Sequence, residues 1–259
     1  MKCINPIRLK NNSEKTKDKY PYLDCACGKC APCLVNRRRQ WLFRLEHERL
    51  IWDYCYFITL TYDDVYCDGT LHKKHLQDFI KRLRHKVACK HYSIGEYGTS
   101  TYRPHYHLLI FTNDKLSSIS DLPWKFGFVS CSEVTAASIN YVTHYHVRPK
   151  IPKKLRNKGF EPAFKLCSRG LGLSFLFDYD EVYGLMPKSK FFDYIVNGGR
   201  VISDWNGNKF VLPRYYSKKI EELGYELKTP VFDNEFSPGI TGRHRTGYNA
   251  PNWVSNFFL

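Results

Sequence analysis

The sequence predicts an α+β fold, a mainly antiparallel central sheet with flanking helices and a C-terminal β-hairpin extension. Three observations predict it. Segments rich in β-branched and aromatic residues at strand spacing are interleaved with stretches of helical period. The strand segments follow one another with few crossovers, which favours antiparallel pairing. Asn-Gly and Gly-Gly dipeptides then punctuate short apolar runs beyond residue 190.

Taken in order, Asn11 to Lys19 is polar and reads as a loop, followed by a cysteine-rich turn from Cys25 to Cys33. Asn36 to Asp53 reads as a helix, with Trp41, Leu42, Leu45 and Trp52 on one broad face. Tyr56 to Tyr62 is a strand by composition, and Asp68-Gly69 a turn. Lys73 to Val87 carries Leu76, Phe79, Ile80, Leu83 and Val87 at helical period. His91 to Tyr97 and His105 to Thr112 read as two strands around a Gly/Ser turn, Phe126 to Cys131 as a fourth, and Thr135 to His146 as a helix. Lys150 to Gly172 is basic and loop-like; Asn197-Gly198-Gly199 and Asn206-Gly207 are hairpin turn signals. A short helix near Ser217 to Leu223 precedes an extended tail rich in Gly, Pro, Asn and aromatics. The expected division is a cysteine-rich arm and basic helix over 1–53, a catalytic core over 54–150 and a packed extension over 151–259.

Composition narrows the class. With 43% hydrophobic and 16% aromatic residues the 259-residue chain folds rather than staying disordered. A net charge of +15 attracts polyanions, nucleic acid foremost. No run of 18 apolar residues predicts a membrane span, and the N-terminus lacks an apolar signal core, so a cytoplasmic protein with reduced thiols is expected.

The chemistry concentrates in two segments. In Arg103-Pro-His-Tyr-His107, strand alternation puts the imidazoles of His105 and His107 on one face. Glu96, on the preceding strand, is positioned by the turn to add a carboxylate oxygen. Two nitrogens and one carboxylate with open positions suit Mg²⁺ or Mn²⁺. The plainer readings are half-exposed strand histidines and a turn glutamate facing water. In Tyr141-Val-Thr-His-Tyr145 the tyrosines are four apart on the expected helix, so both phenols share a face. A phenol is a weak nucleophile at neutral pH, and a divalent cation polarising a phosphate offsets that. Packing as core aromatics is the alternative.

In this order, Phe57-Ile-Thr-Leu-Thr-Tyr62, the paired histidines and the paired tyrosines resemble the motifs of the HUH endonuclease superfamily, and the resemblance implies an HUH/Rep-like sheet with a ferredoxin- or RRM-like core. The chain is more closely similar to the replication initiators of the Microviridae, of gokushovirus type. That similarity rests on Cys27-Gly-Lys-Cys30-Ala-Pro-Cys33, Asn36-Arg-Arg-Arg39, Trp41, Gly95-Glu-Tyr-Gly98 and Leu212-Pro-Arg-Tyr215. The resemblance implies a rolling-circle initiator that nicks and joins single-stranded DNA through a 5′-phosphotyrosine. Tyr141 and Tyr145 would be its nucleophiles, and Glu96, His105 and His107 would be its cation site. It also implies an origin in single-stranded DNA, the host replication machinery as partner and the bacterial cytoplasm as location, with no membrane and no small-molecule substrate. The family carries a lysine between or just after its tyrosines; this chain has His144 and His146, with Arg148 and Lys150 further on, leaving the assisting cation open. The related phage proteins place a cysteine at the position of Cys3, so Cys3, Cys27, Cys30 and Cys33 are the expected structural Zn²⁺ ligands, with Cys25 a spare. An iron–sulfur cluster or free thiols are the rival readings. Arg37, Arg38, Arg39, Arg148 and Lys150, with the Lys81 to Lys86 stretch, are candidate contacts to the DNA backbone, and Tyr102 and Tyr106 candidate stacking partners for bases. A non-catalytic, zinc-stabilised single-strand binder and a related relaxase or transposase are the alternatives.

Overall fold

A computed structural model describes residues 2–12, 14, 17–116, 118, 122–148, 151–156, 158–176, 178–180, 184–186, 190–203, 209–228 and 231–236. The chain begins with a hairpin, β1 (Ile7–Lys10) and β2 (Tyr22–Cys25), and helix α1 (Ala31–Arg49). β3 (Tyr54–Tyr62), α2 (Lys73–Arg84), β4 (Cys89–Tyr97), β5 (Pro104–Thr112), β6 (Gly127–Glu133), α3 (Ala136–Thr143) and β7 (Phe164–Cys167) follow. Beyond them lie β8 (Asp178–Asp180), β9 (Gly184–Met186), α4 (Lys190–Val196), β10 (Gly199–Ser203), β11 (Lys209–Val211), α5 (Arg214–Glu222) and β12 (Val231–Phe236).

The central sheet has the order β6-β3-β5-β4-β7, with every neighbouring pair antiparallel. This is the expected α+β architecture. Strand alternation divides the side chains cleanly. Ile58, Leu60, Tyr62, Tyr106, Leu108 and Ile110 point to the face covered by α2, whose Leu76, Phe79, Ile80 and Leu83 recur at helical period. Complete burial of Leu76 or Phe79 stabilises by roughly 1.5–3 kcal/mol each. Tyr92, Ile94, Leu109 and Phe111 point the other way, against Leu45 of α1 and Ile139 and Val142 of α3. The Glu96, His105 and His107 side chains continue these second rows, which puts them on the α1/α3 face.

A second core joins Phe43 of α1 to Phe191, Phe192 and Ile195 of α4, Ile202 and Phe210 of the β10–β11 hairpin, and Tyr216 and Ile220 of α5. β12 adds to β10 in parallel. Helix α1 therefore serves both cores, Leu45 in one and Phe43 in the other. No helix among the described residues is long and apolar enough to cross a membrane.

Four local expectations change. Helix α1 begins at Ala31 rather than Asn36, because Pro32 sits in its first turn, where a missing N–H costs nothing. The stretch expected to be loop supplies β7, which pairs Phe164 with Gly95 and Cys167 with Tyr92; four residues are too few for alternation to show. Asn197-Gly198 ends helix α4 instead of joining two strands, with Gly198 at φ +93°. The helix expected to reach His146 stops at Thr143, and the chain tightens into a 3₁₀ turn over His144–His146. Lys150, Asn206-Gly207 and residues 237–259 of the tail lie outside the described residues.

Candidate active site

The β4–β5 hairpin creates the site. Its turn is closed by the Gly98 amide donating to the Arg103 carbonyl at 3.0 Å, with Tyr102 at φ +57°. That closure sets the register Glu96 opposite His105 and Ile94 opposite His107. His105 Nε2 and His107 Nε2 lie 3.5 and 3.6 Å from Glu96 Oε1, and the three candidate ligand atoms fall within 4.8 Å of one another. The far ring nitrogens are engaged elsewhere. His105 Nδ1 donates to the Arg103 carbonyl at 3.1 Å, and His107 Nδ1 lies 2.9 Å from Thr59 Oγ1 of the adjacent β3. With the Nδ1 proton given to Thr59, His107 keeps its lone pair at Nε2, a buried nitrogen with no hydrogen-bond partner. Burial, with the neighbouring His105 charge, holds the His107 imidazole down at about 4, hence neutral and able to ligate. Glu96 is also buried, which opposes ionisation, yet hydrogen bonds from His105 and Tyr141 and the charges of His107 and Arg148 hold it at about 2. An orphaned imidazole nitrogen, a second one close by and an ionised carboxylate fit a small divalent cation.

Helix α3 is started by a capping box in which Thr135 and Ser138 exchange side-chain and backbone bonds. It carries Tyr141 over the histidines: the Tyr141 hydroxyl donates to Glu96 Oε1 at 2.7 Å, and its ring lies edge-on to His107 at 5.0 Å. Burial and the bond to Glu96 raise the Tyr141 pKa. Tyr145 is not brought to this point. Because α3 ends two residues earlier, its hydroxyl donates instead to the Ala163 carbonyl at 3.3 Å, and the two phenols do not share a helical face as expected.

Of the basic residues, Arg148 reaches the site, donating from Nη1 to Glu96 Oε1 and Oε2 at 3.2 and 3.0 Å. Arg38 bonds Asn140 on α3, and its charge and that of Arg148 act on His144. Arg37 turns away to the Gly28 carbonyl at 3.2 Å, and Arg39 stays on α1 as its charged neighbour. Lys81 to Lys86 ride on or just beyond α2, across the sheet from the histidines. Tyr106 is fully buried on that opposite face, bonded to Tyr62 at 2.7 Å, so it packs the core and is not available to stack on bases. Thr59 is the site residue that the motifs did not single out. Its signal was there: in Phe57-Ile-Thr-Leu-Thr-Tyr62 the hydroxyls of Thr59 and Thr61 alternate with core residues and share the histidine face.

A second cluster gathers Cys3, Cys27, Cys30 and Cys33, whose sulfurs also lie within 4.8 Å of one another. Cys25 lies in β2 opposite Ile7 and is not among them. Gly28 at φ +72° makes the tight return between Cys27 and Cys30. The Lys29 and Cys30 amides point at Cys27 Sγ, at 3.5 and 3.4 Å, and the Cys27 amide at Cys3 Sγ, at 3.3 Å. Backbone N–H groups of Ile4 and Cys33 hold the Cys30 thiol down to about 6, while its bond with Cys30 pushes Cys33 up to about 12. Four converging sulfurs with amides aimed at them favour thiolates, and that fits a tetrahedral metal site.

Residues 55–150, which carry Glu96, both histidines, both tyrosines and Arg148, match the family of the replication-associated protein ORF2. The replication-associated protein VP4 of Bdellovibrio phage phiMH2K is 27% identical over 251 residues, covering 83% of this chain and 76% of that one. Replication-associated protein ORF2 of Spiroplasma virus 4 is 24% identical over 268 residues, with 85% and 81% covered. Replication-associated protein ORF4 of Chlamydia phage 1 is 26% identical over 253 residues, with 84% of this chain and 58% of that longer one covered. Among solved structures, the hypothetical protein ORF119 from Sulfolobus islandicus rod-shaped virus 1 is 24% identical over 40% of this chain and 88% of that one, at a TM-score of 0.27, too low to speak for a common fold. The family resemblance carried by the sequence motifs and this run of phage relatives agree: the chain belongs with the replication-associated proteins of the Microviridae.

Proposed function

We propose that this chain starts rolling-circle replication by nicking a single-stranded DNA origin, and later joins the product, through a 5′-phosphotyrosine. The observation that carries the reading is the placement of the Tyr141 hydroxyl 2.7 Å from Glu96 Oε1, the oxygen on which His105 and His107 converge. Glu96, His105 and His107 would hold the divalent cation, Mg²⁺ or Mn²⁺, which when bound offsets the charge of the scissile phosphate and polarises it. Tyr141 Oη attacks that phosphorus; the Oη–P bond forms, the P–O3′ bond breaks, and the leaving 3′ oxygen takes up a proton. The freed 3′-hydroxyl primes the host replication machinery in the bacterial cytoplasm. Tyr145 serves the closing cleavage in this reading, and to do so it must leave the Ala163 carbonyl and the 3₁₀ turn must relax. Arg37, Arg38 and Arg39 at the start of α1 would guide the DNA backbone, joined by Lys150. Cys3, Cys27, Cys30 and Cys33 would hold a structural Zn²⁺ that ties the N-terminal hairpin to α1.

The test is incubation with single-stranded origin DNA and Mn²⁺, followed by peptide mapping of the covalent adduct. Attachment at Tyr141 is expected. Tyr141→Phe should abolish the first adduct, whereas Tyr145→Phe should leave it intact and fail to release closed circles. First attachment at Tyr145, or at a tyrosine outside 141–145, would overturn the assignment.

A further inference from the structure

Glu96 is engaged from two sides at once. Tyr141 donates its hydroxyl proton to Oε1, and the Arg148 guanidinium reaches both oxygens at 3.2 and 3.0 Å. The same Oε1 is the point on which the two histidine nitrogens converge. Glu96 is nearly sealed from solvent, whereas the Arg148 side chain is 37% exposed and its guanidinium lies 5.2 Å from the centre of the Tyr141 ring. A buried carboxylate needs a positive partner, and here that partner is an arginine able to swing outward.

Resting on the metal reading above, we propose that Arg148 is an exchangeable counter-ion: it neutralises Glu96 until a divalent cation takes the carboxylate, and it then binds a phosphate of the DNA strand beside Tyr141. Two positive groups cannot both occupy Glu96 at hydrogen-bonding distance, because like charges a few ångströms apart in a partly buried site repel strongly. Loading the cation therefore drives the guanidinium off. The same event takes from the Tyr141 hydroxyl the acceptor that holds its proton. Once displaced, the planar fork of Arg148 sits at the rim on the phenol ring, where its geometry matches two phosphate oxygens. Cation loading thereby prepares both the nucleophile and an anion clamp. The arrangement also gives Arg148 the place left open by the missing lysine near the tyrosines. Arg148 is a positioning residue for the cation and a contact for the strand.

The experiment measures Mn²⁺ affinity without DNA, by electron paramagnetic resonance of free Mn²⁺, for the wild-type protein, Arg148→Gln and Arg148→Lys, with His107→Ala marking the site. Removing the competitor should tighten Mn²⁺ binding on the order of ten-fold in Arg148→Gln, the scale of a charge-assisted hydrogen bond to a carboxylate. Arg148→Lys keeps the charge but cannot fork across both oxygens, so it should gain part of that increase. Binding of a single-stranded oligonucleotide in saturating Mn²⁺ should weaken in Arg148→Gln. Unchanged or weaker Mn²⁺ binding in Arg148→Gln would overturn the exchange, and a lysine variant equal to wild type would reduce the effect to charge alone and overturn the displacement. If wild type and His107→Ala bind Mn²⁺ equally, the cation site itself fails and the exchange falls with it.

Discussion

The Nδ1 proton of His107 has Thr59 Oγ1 2.9 Å away, and this contact decides which ring nitrogen faces Glu96. Thr59→Val keeps the β-branched shape that β3 needs and removes only that oxygen. The ring is then free to place its proton on Nε2, where it blocks ligation. Mn²⁺ affinity should fall by roughly 10–100-fold, the usual cost of losing such an orienting partner, with little change in folding. An unaltered Mn²⁺ titration would show that Thr59 does not orient the ring. At this scale the sequence was informative wherever local period decides direction. Two-residue spacing fixed His105 and His107 to one face, and a short turn was enough to set Glu96 opposite His105. Thr59 and Arg148 were less legible because their partners are distant in sequence, 48 and 52 residues away. A hydroxyl in a strand and an arginine after a helix are ordinary until the sheet is assembled.

Among the elements, the hairpin β1–β2 is the least self-sufficient. Two four-residue strands with Ile7, Leu9, Tyr22 and Leu23 exposed bury too little to be stable alone. What anchors them is the cysteine cluster, which joins Cys3, just before the hairpin, to the Cys27–Cys30 turn and to Cys33 in the first turn of α1. Purified protein should therefore contain about one Zn²⁺ per chain, and Cys30→Ser should lose it. Limited proteolysis should then cut within residues 2–27 while leaving the central sheet protected. Iron with a visible charge-transfer band would favour the cluster reading, and a metal-free protein with an equally resistant arm would remove the metal from this role. The long elements were legible because α2, β3 and β5 repeat their period often enough to be read. β7 and the switch from α3 to a 3₁₀ turn were not: four residues carry no period, and the i, i+4 spacing of Tyr141 and Tyr145 is the same whether or not the helix continues.

Over the whole molecule, α1 is the member common to two cores, and each core buries a histidine near it or across the sheet from it. His47 lies on α1 with Nδ1 2.6 Å from the Phe43 carbonyl, and burial pushes its pKa down to about 4. His91 lies on β4 with Nδ1 2.8 Å from Ser93 Oγ; burial, reinforced by the Arg84 charge, pushes it down to about 3. Both start from an ordinary value of 6.5, so both are neutral in the folded protein at pH values where the unfolded chain is already taking up protons. Below about 6.5 the unfolded state binds more protons than the native one, and stability falls as pH falls. The stability is fully present above 6.5 and is lost progressively toward the folded values near 4 and 3. Scanning calorimetry should thus show Tm dropping between about pH 7 and pH 5. Acid also protonates the thiolates of a metal-bound cysteine cluster, so the decisive comparison is with His91→Gln, whose amide can keep the bond to Ser93 but cannot titrate. Metal loss is common to both proteins and cancels in the difference. A shallower fall of Tm with acid in His91→Gln is expected; parallel slopes would show that His91 is not among the groups through which acid opens the fold.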